Sequence, residues 1–392
     1  MSKTTRNSRL YILIIVGILS AFGPFVTDFY LPALPSLSEY FGTTASLAQL
    51  SLTFSMIGLA IGQLLIGPLS DKYGRKPLLQ YSLLTFCIST VGCLVSTSIY
   101  EFVLFRFIQG IAGSGGVVIS KSIATDLYKG PELMKFFSLL SSVQGIAPIS
   151  APILGGILME TTDWKGIFMI LLIGGIVLMA ALTFFKESLP VEGRSDDNVL
   201  SVFHRLFPLL LHTGFMRYVL VQAFAMGAMF VYIAASPFIF QQHFGASPLT
   251  YSVCFGINAL GIMIGSLAVS HFRDADSALR IGVKGFCVVS LLVGIVFMTA
   301  SSVWAVEVSL FVYLVFLGLI LPSSTAIALD LERSNSGNAS ALLGFLMFLF
   351  GGVISPLTGL GDILITTPVL FIICSISALL CIRKLSIAVQ SK

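Results

Sequence analysis

The sequence predicts an all-α membrane protein of twelve transmembrane helices, arranged as two six-helix bundles related by pseudo-symmetry. Three observations carry this. Of 392 residues, 56% are hydrophobic and only 10% are charged, far below the roughly 25% charged fraction of an ordinary soluble domain. Apolar runs of about 20 residues, the length that crosses a ~30 Å hydrocarbon core, recur along the whole chain. Lysine and arginine fall mainly in alternate breaks between those runs, so that one face collects nearly all of them.

In order, the runs lie near 10–34, 46–69, 78–97, 101–125, 136–159 and 166–185, then near 214–239, 249–270, 281–301, 304–328, 338–360 and 366–383. The chain opens with basic residues and turns apolar, as a signal peptide does. No small-residue cleavage site follows, and the run continues through Pro24 and Asp28. It is therefore taken as the first span. The one long polar stretch, with Pro190 and Gly193, divides the chain into an N-terminal bundle (1–185), a linker (186–213) and a C-terminal bundle (214–392). Six spans, a linker and six spans suggest a duplicated unit that rocks about a central site.

With the N-terminus placed in the cytoplasm, all but Arg106 and Lys165 of the 22 Lys and Arg lie at or near the inner face. Positive residues stay inside, so both termini are expected to be cytoplasmic. The net charge of +4 is spread over many short loops, which topology explains better than nucleic acid does. The six cysteines sit inside apolar runs without a Cys-x-x-Cys pair, and the four histidines never take metal-site spacing. No metal or cofactor is expected. Gly-Lys occurs nowhere, against a nucleotide-driven pump; no His-Glu-x-x-His cluster points to an enzyme, and no sizeable soluble domain points to a receptor.

Two ionisable residues fall well inside apolar runs, Asp28 in the first and Arg106 in the fourth. Such residues are costly and by default mark a pathway or a paired charge. Counting helix rise puts Asp28 roughly 24 to 27 Å from the inner face and Arg106 roughly 9 Å in from the outer one. The two are thus expected at similar depth, close enough to neutralise each other directly or through water. Two roles stay open for Asp28: a proton carrier, or a residue at the outer water interface that caps the Leu31-Pro32-Ala33-Leu34-Pro35 turn. Tyr30, Gln109, Gln144, Gln222, Tyr232 and Asn258 are polar groups that either line a cavity or bond to a neighbouring helix.

The loop after the second span reads Gly67-Pro68-Leu69-Ser70-Asp71-Lys72-Tyr73-Gly74-Arg75-Lys76-Pro77. It resembles the signature Gly-x-Leu-x-Asp-x-x-Gly-Arg-Lys loop of the major facilitator superfamily and lies between spans two and three, as in that family. Gly67 is expected to let helices approach closely. The resemblance implies an inner-face latch in which Arg75 pairs with an acidic residue at the end of span four, where Asp126 stands. It further implies that this bond breaks as the halves rock and so favours the outward-open state. A worn copy of the loop runs from Gly265-Ser266-Leu267 to Arg273-Asp274.

Span four carries Arg106-Phe107-Ile108-Gln109-Gly110, similar to the family's Arg-x-x-Gln-Gly, with Gly113, Gly115 and Gly116 beyond it read as packing residues. Span five, with Gly145, Pro148, Pro152, Gly155 and Gly156, is similar to the antiporter motif, departing from it at Ala151. Together with the run from Asp28 to Pro35, this resembles the Bcr/CflA drug-resistance exporters. The resemblance implies a monomer in the bacterial inner membrane that exports small hydrophobic compounds in exchange for protons, its partners being the small-molecule substrate, protons and the lipid bilayer. The rival reading is a dedicated exporter or importer of one metabolite, such as a siderophore, sugar or amino-acid derivative.

Overall fold

The computed structural model describes residues 8–194, 201–299, 302–332 and 335–390, and its regular structure is entirely helical. The first passage is α1 (Arg9–Asp28), a 3₁₀ turn at Leu31–Ala33 and α2 (Leu34–Tyr40). Pro32 and Pro35 lack the amide hydrogens that would continue α1, so the helix stops at Asp28 and restarts. Five more passages complete the first half: α3 (Ala45–Tyr73), α4 (Arg75–Val95), α5 (Ile99–Leu127), α6 (Gly130–Met159) and α7 (Trp164–Phe184). After α8 (Ser201–Leu211), the second half is built from α9 (Thr213–Pro237), α10 (Pro248–Ala268), α11 (Ala275–Thr299), α12 (Val303–Leu331), α13 (Ser336–Ile354) and α14 (Ile363–Gln390).

Eleven of these passages are long and apolar enough to cross a membrane among the described residues. The 30-residue α6, whose described apolar part is Ile146–Met159, makes the twelfth. Apolar side chains such as Ile88, Ile173, Val288 and Ile295 remain exposed on the outward faces, as a lipid-facing surface requires. Polar side chains at loop ends start several helices by accepting otherwise unpaired amide hydrogens: Thr44 from Leu47, Ser98 from Glu101, Asp163 from Lys165 and Ser247 from Thr250.

The duplication shows in the packing. Gly58 and Gly62 of α3 lie against the backbone of α5, where a Cβ on Gly110 would come within 2.8 Å of the Ser55 carbonyl carbon. Gly261 and Gly265, with the same four-residue spacing on α10, lie against α12, where a Cβ on Gly265 would meet Gly318 Cα at 3.0 Å. Without side chains in the seam, the paired helices touch backbone to backbone.

The stretch between the halves is less polar than its sequence suggests. Helix α8 buries Leu206 and Leu209 against Phe215, Val219, Leu342 and Leu343, which ties it to the C-terminal half. Their three-residue spacing puts both leucines on one helix face.

Candidate functional site

A cavity of about 570 Å³ lies between the halves. Its wall combines Thr27 and Asp28 of α1, Gln63 of α3 and Lys121 of α5 with Met226, Met229, Phe230 and Tyr232 of α9, Phe255 and Ser266 of α10, and Phe348 of α13. Apolar and soft side chains predominate, and the few polar ones are spread along its length. It runs from Asp28, where α1 breaks, toward Lys121 and Ser266, in the parts of α5 and α10 nearer the face that carries the termini.

On the opposite face the halves are bonded together. Gln49 Nε2 donates to the Ala234 carbonyl at 2.9 Å, and Gln49 Oε1 accepts from the Thr358 hydroxyl at 2.9 Å. Thr53 and Ser355 share a hydrogen bond of 3.0 Å, Ser46 donates to the Pro356 carbonyl at 3.2 Å, and Gln241 donates to the Pro32 carbonyl at 3.0 Å.

Arg106 is fully buried, but its partner is not Asp28. Nη1 donates to Gln109 Oε1, Nη2 donates to the Val26 carbonyl at 2.9 Å, and the guanidinium carbon sits 4.2 Å from the Tyr30 ring centroid and 5.6 Å from that of Phe168. Aromatic faces and a carbonyl thus replace the expected carboxylate. The depth estimate placed the two residues on one level, but a depth cannot say which way a side chain turns. Asp28 turns to the cavity.

The expectation that Asp28 and Arg106 are alone inside the membrane is also corrected, because Glu307, at the start of α12, is buried. Its Oε2 accepts from Asn258 Nδ2 at 2.9 Å, and the same amide nitrogen reaches Tyr232 Oη at 3.1 Å. Glu307 lies only a few residues inside its apolar run, and its position in the sequence does not mark it as enclosed. Tertiary packing encloses it.

Of the six polar residues offered for the cavity, Tyr232 lines it. Tyr30 and Gln109 belong to the Arg106 cluster, where Tyr30 pairs with Ser51 at 3.1 Å and Gln109 donates to Thr90 at 2.7 Å. Gln222 accepts from Ser324 and Thr325 at 3.2 and 2.9 Å, and Asn258 is occupied as described. These four are absorbed by helix-to-helix bonds because a buried polar group must be paired. Gln144 lies on α6, but its side chain, like the side-chain surroundings of Gly145, is not among those described. Sequence patterning missed Gln63, Lys121 and Ser266, which sit where α3, α5 and α10 pass the cavity.

At the face of the termini, Arg75 is the hub of a network. It donates to Asp126 from Nε at 2.9 Å and to Asp71 from Nη1 at 2.5 Å. Glu187 accepts the backbone amides of Arg75 and Lys76, each at 3.0 Å, while Lys76 Nζ donates to the Thr183 carbonyl at 2.9 Å. Gly74 makes the tight joint between α3 and α4 at φ +100°, a conformation that a side chain would strain. These groups belong to the N-terminal half and, with Glu187, to the first residues of the linker that leaves it, and the network is intact while the cavity reaches toward that face. Arg75 and Asp126 thus pair as the resemblance implied, within one half. Gly67 is not a close-approach site, since a Cβ there would make an ordinary 3.6 Å contact with Val118.

The worn copy pairs different residues. Asp276 and Arg280 form an i,i+4 pair at 2.6 Å with side chains 46% and 40% exposed, against 7% for Arg75. Just before it, the Ser277 amide donates to Asp274 at 2.7 Å and holds that loop carboxyl below its ordinary range. On α6, Pro148 touches the cavity, Gly155 packs on the Phe29 backbone, and a Cβ on Gly156 would come 2.9 Å from the Pro248 carbonyl. One turn of α6 therefore contacts both halves.

The sequence model of the Major Facilitator Superfamily matches residues 13–356. The chain belongs to the major facilitator superfamily. An uncharacterized MFS-type transporter of Bacillus subtilis, YdgK, is 36% identical over 92% of each chain. A bicyclomycin resistance protein homolog of Haemophilus influenzae is 26% identical over 93% of each, in keeping with the Bcr/CflA resemblance. Among solved structures, a bacterial homolog of the human lysosomal transporter Spinster, inward-facing and unoccupied, superposes with a TM-score of 0.75 at 16% identity over 96% of this chain and 98% of that one. This major facilitator protein is therefore a multi-pass transporter of small molecules, not an enzyme.

Proposed function

We propose that the protein exports small, largely hydrophobic compounds across the bacterial inner membrane in exchange for protons, by alternating access. The observation that carries this reading is the cavity: a predominantly apolar wall of Met and Phe with one carboxyl, Asp28, facing into it. An apolar wall selects by area rather than direction, which suits a range of related cargos. Asp28 sits at the break of α1, where a change in which face meets water alters its surroundings. It is the group proposed to carry the proton. The Haemophilus relative, called a bicyclomycin resistance protein homolog, supports the drug-export reading.

In this reading both termini are cytoplasmic, the monomer suffices, and the structure is the state whose cavity extends toward the cytoplasm. Growth of an expressing strain across a compound panel, with and without a protonophore, tests it. Resistance to several unrelated apolar compounds, abolished by the protonophore, is expected. Resistance to none, with one metabolite accumulating in the medium, would favour a dedicated exporter.

A further inference from the structure

The proposed exchange uses one carboxyl, but the fold encloses two among the described residues, Asp28 and Glu307. Glu307 is the fifth residue of α12 and only 5% exposed. Asn258 donates to its Oε2, while its Oε1 is buried without a hydrogen-bond partner. The side-chain oxygen of the adjoining Asn258 is equally buried and equally without a partner. Two orphaned acceptors in one cluster, with no side-chain donor between them, favour a carboxyl that carries its own proton.

From α9 the acid is faced by Tyr232, and from α10 by Cys254 and Asn258, none of them cationic. The charged residues of α11 (Asp276, Arg280 and Lys284) lie near its start, whereas Glu307 lies near the start of the antiparallel α12; α13 has no charged residue between Ser336 and Ile354. An enclosed carboxylate without a cation is costly, and a proton removes that cost.

We propose that Glu307, with Asn258 and Tyr232, forms a second proton-binding site in the C-terminal half, so that two carboxyls load and unload in one transport cycle. This rests on the proton-exchange reading above. A proton on Oε1 turns that orphaned acceptor into a donor. The acid lies one side chain from the cavity: Tyr232 lines it, and the Asn258 amide donates to both the Tyr232 hydroxyl and Glu307 Oε2. The proton comes from water in the cavity, forms an O–H bond on the carboxyl, and returns to water when the cavity faces the other side.

The duplicated architecture gives this a context. Helices α5 and α12, each packed through glycine on its neighbour, carry opposite charges near their starts: Arg106 on one and Glu307 on the other.

The test is purified full-length protein in liposomes, with ethidium as the probe and the proton-to-ethidium ratio read from the pH gradient that balances a set membrane potential. Glu307→Gln is expected to lower the ratio by one proton. Tyr232→Phe keeps the acid and severs its link to the cavity, so the pH midpoint of flux shifts while the ratio holds. An unchanged ratio in Glu307→Gln overturns the proposal, as does an unchanged midpoint in Tyr232→Phe should the first variant not insert. Replacing sodium by choline distinguishes the ligand: sodium dependence lost in Glu307→Gln at an intact proton ratio overturns the proton in favour of an alkali cation. A wild type whose ethidium flux ignores the pH gradient overturns the exchange reading and this inference together.

Discussion

Asp126 holds Arg75 through two hydrogen bonds, 2.9 Å from Nε and 3.3 Å from Nη2, and so joins the end of α5 to the start of α4. Asp126 in turn accepts from the Ser188 hydroxyl at 3.0 Å, which pins the chain just beyond α7 to the same point. The network thus ties α4, α5 and the chain leaving α7 together at one point.

Removing Arg75 should therefore cost stability as well as transport. Breaking a buried ion pair from one side costs up to about 3–5 kcal/mol, and an exposed one about 0–1. Arg75→Ala is expected to lower the melting temperature most, Asp126→Asn less, and Asp71→Ala least, because Asp71 is half exposed. Transport by Arg75→Ala and Asp71→Ala should be crippled with insertion retained. Thermal unfolding in detergent and vesicle uptake measure the two effects; melting temperatures that do not separate the three variants would contradict the network.

Asp28→Asn keeps the shape of the cavity wall and removes the acid. Substrate-driven proton movement in liposomes should fall by the proton that Asp28 carries, while cargo still binds from the side the cavity faces. Coupling that survives intact would exclude Asp28 as carrier.

Because Arg106 binds Val26, Gln109 and two aromatic rings rather than Asp28, the two residues should act independently on stability. The double variant Asp28→Asn/Arg106→Lys is expected to lose the sum of the single losses to within roughly 0.5 kcal/mol, as unconnected sites do. Arg106→Lys alone should destabilise, since an ammonium cannot reproduce the planar fork that meets Gln109 and the Val26 carbonyl while lying over Tyr30. A coupling energy well above that margin would show that the charges do meet.

The glycine seams give a contrast. Gly110→Ala places a Cβ against the Ser55 backbone, where nothing flexible can yield, and should cost about 1–3 kcal/mol. Gly67→Ala meets only an ordinary contact with Val118 and should be nearly neutral in a monodispersity assay after heating. Equal losses at both positions would mean that the seam is not where the backbones touch.

Much of the fold was legible because each span must carry its own apolar length, a property of local sequence. The signature loop was legible for the same reason, since Asp71, Gly74 and Arg75 are close in the chain. The failures have a common physical cause. Whether Arg106 meets Asp28, whether Gln222 faces a cavity, or whether Glu307 is covered depends on the rotation of one helix about its axis relative to others far away in sequence. Apolar patterning on nearly every face of these helices leaves that rotation unspecified. The glycines at 58, 62, 261 and 265 do specify it in part, and their spacing was the signal available for finding the seams.

The five hydrogen bonds that shut the face away from the termini join amides, hydroxyls and carbonyls, none of them ionised. Dissolved salt screens charges and leaves such bonds almost untouched. Water entering the seam can replace each one, so the gate is governed by hydration rather than by ionic strength. A cell that passes from a dilute to a saline medium would find this side of its carrier opening as readily as before.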